Sequence, residues 1–107
     1  MINLPAPISD YFAADAKNAE AVAQCFTDDA VVRDEGKTYV GREAIRAWKA
    51  ESSEKYSYVS APQAIAKESD KTIVTSRLTG NFPGSPVDLR FFFRLKGDKI
   101  SGLEIMS

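Results

Sequence analysis

The spacing of apolar residues changes character halfway along this chain. In the first half they follow a helical period: Ile8, Tyr11 and Phe12 stand at i, i+3 and i+4, with Asp15 completing the stripe. A helix is therefore expected over about 6–16, entered through Pro5 and Pro7. Asn18 is placed to cap a second helix whose face carries Val22, Cys25 and Phe26, with Asp28 and Asp29 closing it before a short strand from Ala30 to Asp34. A third helix is expected from near Gly41 through Ile45, Trp48 and Lys49, with Glu43 in its first turn opposing the positive end of the helix dipole. From Lys55 onward the period falls to two. Tyr56 to Ala66 is β-compatible, and in Thr72 to Phe82 the residues Val74, Ser76 and Leu78 alternate with Ile73, Thr75 and Arg77. Phe82 to Pro86 (FPGSP) forms a turn. Beyond it Val87, Leu89, Phe91, Phe93 and Leu95 share one face while Asp88, Arg90, Phe92, Arg94 and Lys96 share the other, as in a sheet with one buried side. Gly97 and Asp98 make the last hairpin before Ile100 to Met106. Helices first and an antiparallel meander afterwards predict one α+β domain over residues 1–107, in which a curved, mostly antiparallel sheet wraps over three N-terminal helices.

A chain of 107 residues can bury enough apolar surface to fold without disulfides or metals. Its 14 basic and 15 acidic residues leave a net charge of -1, which supplies no clustered cation surface for nucleic acid. The opening MINLPAPISDYF lacks a basic region followed by a continuous apolar run, and no segment is long enough to span a membrane, so a soluble, cytoplasmic protein is expected. The single cysteine, Cys25, is expected to be a small buried hydrophobe. With no histidine in the chain, Ser-His and Cys-His nucleophiles and His-based zinc sites are excluded. Any chemistry has to use carboxylates, tyrosines, lysines or arginines, and nothing in the sequence calls for a cofactor. Asp28, Asp29, Asp34 and Glu35 lack the spaced oxygen ligands of a calcium loop, so no metal site is assigned.

The main candidate for chemistry is Asp34, set where a strand leaves the core and followed by the turn formers Glu35, Gly36 and Lys37. Two readings stay open. As a general base it needs an apolar surround and a nearby donor for the enolate it creates, which Tyr11, Tyr39 or Tyr56 could supply. As a structural residue it accepts hydrogen bonds from the following turn or pairs with Arg33 or Lys37. Tyr11 is either that donor or a core tyrosine. Asp15 either meets solvent where its helix frays or brings a second carboxylate to the cavity. Phe12, Trp48, Phe91 and Phe93 line a cavity or fill a core. Lys49, Lys55, Lys67 and Lys71, with Glu51, Glu54, Glu68 and Asp70, are expected to be solvated surface. Phe92 stands among Asp88, Arg90 and Arg94, and a large apolar group among charges implies a face covered by a partner, met most simply by a two-fold homodimer.

Three segments, FTDDAVVRDEG, YVGREAIRAW and RFFFRLKGDKISGLEI, together with the order of elements, resemble the nuclear transport factor 2-like superfamily and its small SnoaL-like branch. The resemblance implies a cone-shaped barrel around a pocket and, in many members, a homodimer through the outer sheet face. It also implies functions that range from ketosteroid isomerisation and polyketide cyclisation to plain binding. Asp34 falls on the proton-abstracting aspartate of the ketosteroid isomerases, and Tyr11 resembles their oxyanion-donating tyrosine. Their late-strand aspartic acid has no counterpart, because Phe91 stands there; losing one of two oxyanion donors costs on the order of 3 kcal/mol. The histidine of SnoaL-type cyclases is missing as well. Two functions are therefore expected in competition. One is a pocket for an apolar or weakly polar small molecule, with isomerase-, cyclase- or dehydratase-like chemistry by Asp34 and Tyr11. The other is a non-catalytic ligand-binding or dimeric interaction module.

Overall fold

A computed structural model describes residues 2–107. Three helices, α1 (Ala6–Asp15), α2 (Ala19–Ala23) and α3 (Arg42–Lys55), pack on one face of a six-stranded sheet. Its strands are β1 (Phe26–Asp34), β2 (Lys37–Val40), β3 (Tyr58–Glu68), β4 (Lys71–Gly80), β5 (Val87–Lys96) and β6 (Lys99–Met106). They are ordered β2-β1-β6-β5-β4-β3, antiparallel throughout except for the parallel pair β1 and β6. The α+β architecture and the curved, mostly antiparallel sheet are as expected, with one correction. The sheet does not close on itself, and β2 and β3 remain its two edges, so the cone is open rather than a barrel.

Two boundaries also differ from the sequence pattern. The second helix is a single short piece whose Asn18 side chain accepts a hydrogen bond from the Ala21 amide at 2.8 Å. Phe26, Asp28 and Asp29, expected on or at the end of that helix, belong instead to β1. The reason is tertiary: the Ile100 amide donates to the Cys25 carbonyl at 2.9 Å and Phe26 is in register with Ile100, so the far end of the chain draws this segment into the sheet. Lys37 to Val40, expected as turn and helix approach, form the edge strand β2. Asp34 pairs with Lys37 across a two-residue turn in which Glu35 (φ 53°) and Gly36 (φ 76°) both take positive φ, the geometry that lets a tight hairpin follow the natural strand twist.

Inward-facing residues of the sheet alternate along each strand: Ala30 and Val32 on β1, Thr72, Val74 and Ser76 on β4, Phe91 and Phe93 on β5. Ile8, Val22 and Ile45 from the three helices meet them with no exposed surface. Gly80 ends β4 against the start of β3. A Cβ there would come within 2.2 Å of the Ser57 carbonyl oxygen, so only glycine permits the close approach that brings Tyr58 to the inner face. The Asp28 carboxylate and the Phe26 carbonyl both hold the Arg42 guanidinium, at 2.7 and 2.8 Å, fastening the start of α3 to β1.

Candidate functional site

Asp34 shares the parity of Ala30 and Val32 and so projects from the inner face of β1, at the strand's open end. It is half-buried. One carboxylate oxygen, Oδ2, accepts a hydrogen bond from the indole Nε1–H of Trp48 at 3.0 Å. Trp48 itself is buried on α3, and its ring leans against Tyr39 of β2 with centroids 6.0 Å apart. The partners expected in a purely structural role, Arg33 and Lys37, form no ion pair with Asp34 within 4.0 Å; the buried indole takes their place.

The second carboxylate, Asp15, does not end in solvent. Its side chain is 8 % exposed and its Oδ1 lies 2.9 Å from Nζ of Lys49, whose side chain is 6 % exposed. The Tyr58 hydroxyl donates to the same oxygen at 2.9 Å and accepts from Lys49 Nζ at 3.2 Å. Lys49 was expected on the solvated surface, and this is a correction. Its position beside Trp48 and one turn after Ile45 puts it on the inner stripe of α3, where a carboxylate and a phenol replace the water its ammonium would otherwise keep. The ammonium also stands 4.3 Å from the centroid of the Trp48 ring, and 5.7 and 5.9 Å from those of Tyr11 and Tyr58. Burial is the largest influence on the Tyr58 hydroxyl, followed by the charge of Asp15 and its hydrogen bond; together they push its pKa well above the ordinary phenol value. Lys49 and Tyr58 are thus members of the polar cluster that periodicity and charge class did not single out.

Tyr11 is 1 % exposed and its hydroxyl has no hydrogen-bond partner among the described residues. Burial, and then the charge of Asp15, the Tyr58 hydroxyl and the charge of Asp34, raise its pKa well above the usual value, so it stays a protonated donor. Its ring lies edge-on to Phe12 at 5.2 Å, Phe93 at 5.5 Å and Phe26 at 6.0 Å, while Phe91 and Phe93 are near-parallel at 6.1 Å. The aromatic candidates therefore pack against one another, with Phe93 fully buried and Phe12 partly open. Tyr56, the other tyrosine considered as a donor, sits apart against Phe82 and is exposed. Cys25 is half-buried with its thiol 3.5 Å from the Ala21 carbonyl, and burial raises its pKa, which leaves it a poor nucleophile.

Two recesses open on the surface around this end of the sheet. The smaller, of about 260 Å³, is lined by Asp34, the Glu35 to Thr38 turn and Glu104. The larger, of about 510 Å³, lies on the outer face among Arg33, Lys71, Phe92, Arg94 and Glu104. Phe92 is half-buried there and the Arg90 guanidinium stands 5.6 Å from its ring. Among the described residues no helix is long and apolar enough to cross a membrane, and no group of three or more Cys, Asp or Glu gathers as metal ligands.

Comparison with known proteins places these features in a family. A structure of a Sinorhizobium meliloti protein, provisionally assigned as a polyketide cyclase, is 38 % identical, superposes with a TM-score of 0.90, and the match covers 96 % of this chain and 95 % of that one. A Catenulispora acidiphila protein of ketosteroid isomerase-like fold, in complex with trimethylamine, is 21 % identical with a TM-score of 0.86 over 98 % of this chain and 87 % of that one. The epoxide hydrolase/cyclase-like enzyme SalBIII, of pyran ring formation in salinomycin, is 19 % identical with a TM-score of 0.77 over 94 % and 86 %. At these lower identities the likeness is one of fold. A search of the curated proteins found no relative that matches. The family model for the SnoaL-like domain matches residues 9–103, nearly the whole domain, and the chain belongs to the SnoaL-like family.

Proposed function

We propose that this SnoaL-like domain binds a neutral, weakly polar carbonyl compound and moves a proton on it, with Asp34 as base and Tyr11 as the hydroxyl donor. The observation that carries this reading is the inward-facing Asp34 carboxylate, held through one oxygen by a buried indole while a surface recess reaches the same residue. The remaining oxygen takes a proton from the carbon beside the carbonyl. The C–H electron pair becomes the new C=C bond, and the carbonyl π pair moves to oxygen, where the unpartnered Tyr11 hydroxyl stabilises it. Return of the proton from Asp34 to another carbon of a conjugated enolate completes an isomerisation; in a cyclisation the enolate carbon attacks a second carbonyl, whose π pair moves to its oxygen, and that oxygen takes the proton back from Asp34. Because Asp15 offsets the charge of Lys49, the interior has no surplus cation to hold an anionic ligand, which favours a neutral one. The provisional polyketide cyclase assignment of the 38 % identical protein supports the same substrate class. In this proposal Phe12, Trp48, Asp15, Phe91 and Phe93 are the ligand contacts; none of them lines the recess at Asp34, so a ligand reaches them only by entering the interior past that residue.

A second reading is favoured by the outer-face groove. Phe92, lining the groove with Arg33 and Arg94 and flanked by the Arg90 guanidinium, fits a two-fold homodimer in which the sheets of two copies face one another. In a non-catalytic module this surface would be the working part. The soluble cytoplasmic setting belongs to both readings.

Thermal shift against ketones, steroids and polyketide-like aromatics is expected to raise Tm for at least one member of the set. Exchange of its acidic C–H protons in D₂O should fall roughly 100-fold or more in Asp34→Asn; no stabilising ligand, or unchanged exchange in the variant, defeats the catalytic reading. The raised Tyr11 and Tyr58 pKa values give a sign for alkaline stability. The unfolded chain loses these protons near pH 10 while the folded chain keeps them, so stability is complete below that pH and declines as pH rises beyond it. Chemical denaturation between pH 8 and pH 11, in steps, should show this decline, and Tyr58→Phe should flatten it; equal slopes in both proteins contradict it. Light scattering at micromolar concentration should give a dimer that Phe92→Glu dissociates, and a monomeric parent protein removes the dimer proposal.

A further inference from the structure

The polar residues of the interior form one continuous chain of contacts, from Asp34 through the Trp48 indole to the Lys49 ammonium, and on to Asp15 and Tyr58. The two ends of that chain have different surroundings. Asp34 is half-buried at a recess, whereas the Asp15 and Lys49 side chains are 8 % and 6 % exposed. Between them stands the only tryptophan in the protein.

We infer that Lys49 is a positioning residue for Asp34, acting through Trp48. The indole has one N–H and gives it to Asp34 Oδ2, which restricts the carboxylate's rotation, while no donor among the described residues is bonded to Oδ1. An ammonium 4.3 Å from the ring centroid draws electron density toward itself and makes the indole N–H a stronger donor. Asp15 and Tyr58 keep that ammonium in place: the carboxylate pairs with its charge, the phenol oxygen accepts a hydrogen bond from it, and the phenol O–H donates to Asp15. Rotation of Lys49 away from the ring would strand a buried carboxylate, so the cation is confined to one position. The cluster is thus a mount that sets which oxygen of the base is held and which is free.

This inference rests on the assignment of Asp34 as the working carboxylate only for its catalytic meaning; the coupling itself is tested without any ligand. Because Trp48 is the sole tryptophan, its indole proton gives one resolved NMR signal with ¹⁵N labelling. Lys49→Met keeps the length and apolar stem but removes the charge, and Lys49→Arg keeps the charge. The Met variant is expected to move the indole proton upfield and speed its exchange with solvent, in the same direction as Asp34→Asn, with the Arg variant remaining close to the parent protein. Should Lys49→Met unfold the protein, Asp15→Asn with Lys49→Met removes both charges together, and the same upfield movement is expected there. An indole signal indifferent to loss of the charge, or displaced equally by Met and Arg, overturns the inference. Ligand binding and proton exchange by Asp34 could still stand in that case, and the coupling could equally stand if no ligand is ever found.

Discussion

A lysine and an aspartate shut away from water, where the end of α1, the middle of α3 and the start of β3 meet, give this domain its polar interior. Removing two charges from water costs several kcal/mol per ion, and only close geometry with further hydrogen bonds offsets it. Here Asp15 Oδ1 forms an ion pair with the Lys49 ammonium and accepts a hydrogen bond from the Tyr58 hydroxyl, each at 2.9 Å. The pair is local in space but not in sequence: the three residues come from two helices and a strand, and each depends on the others' elements being docked. Gly80 is part of the same arrangement, since the space it leaves lets the start of β3 lie close enough for Tyr58 to turn inward.

The consequence reaches the opening of the cone. Trp48 lies between the buried pair and Asp34, with the ammonium 4.3 Å from its ring centroid and its N–H on the carboxylate. Tyr11 keeps a hydroxyl with no partner among the described residues, its ring set against Phe12 and Phe93. A fully buried hydroxyl without a partner is costly, on the order of 1–3 kcal/mol, and a fold that tolerates one invites an explanation in function. An oxygen delivered by a ligand is the partner that the proposed chemistry supplies.

Much of the fold was legible because its strongest signals are local. The period of two from Val87 to Lys96 matches the buried Phe91 and Phe93 against exposed Arg90 and Arg94, and the Glu35-Gly36 turn locates the end of β1 and with it Asp34. Phe26 and the edge strand β2 were misplaced because their strand character comes from partners: Ile100 at the far end of the chain for one, and β1 for the other. Lys49 was hidden by its charge. Four methylenes and an ammonium belong at the surface by default, and only its place one turn after Ile45 and next to Trp48 hinted otherwise. Tyr58 was overlooked because β3 alternates weakly and is exposed over most of its length. For Asp15 the helical stripe leaves solvent and interior equally open, because the group that settles it, Lys49, comes from another helix, and no periodicity within α1 could supply that.

The direct test of the central claim is the coupling energy between Asp15 and Lys49, measured by denaturant unfolding of Asp15→Asn, Lys49→Met and the double variant. A buried pair that holds α1 to α3 should show each single change destabilising strongly and the double change costing less than their sum, by on the order of 1–3 kcal/mol. Strictly additive losses, with no coupling beyond experimental error, would mean that the two charges do not sense each other, and the account built on their pairing would be wrong.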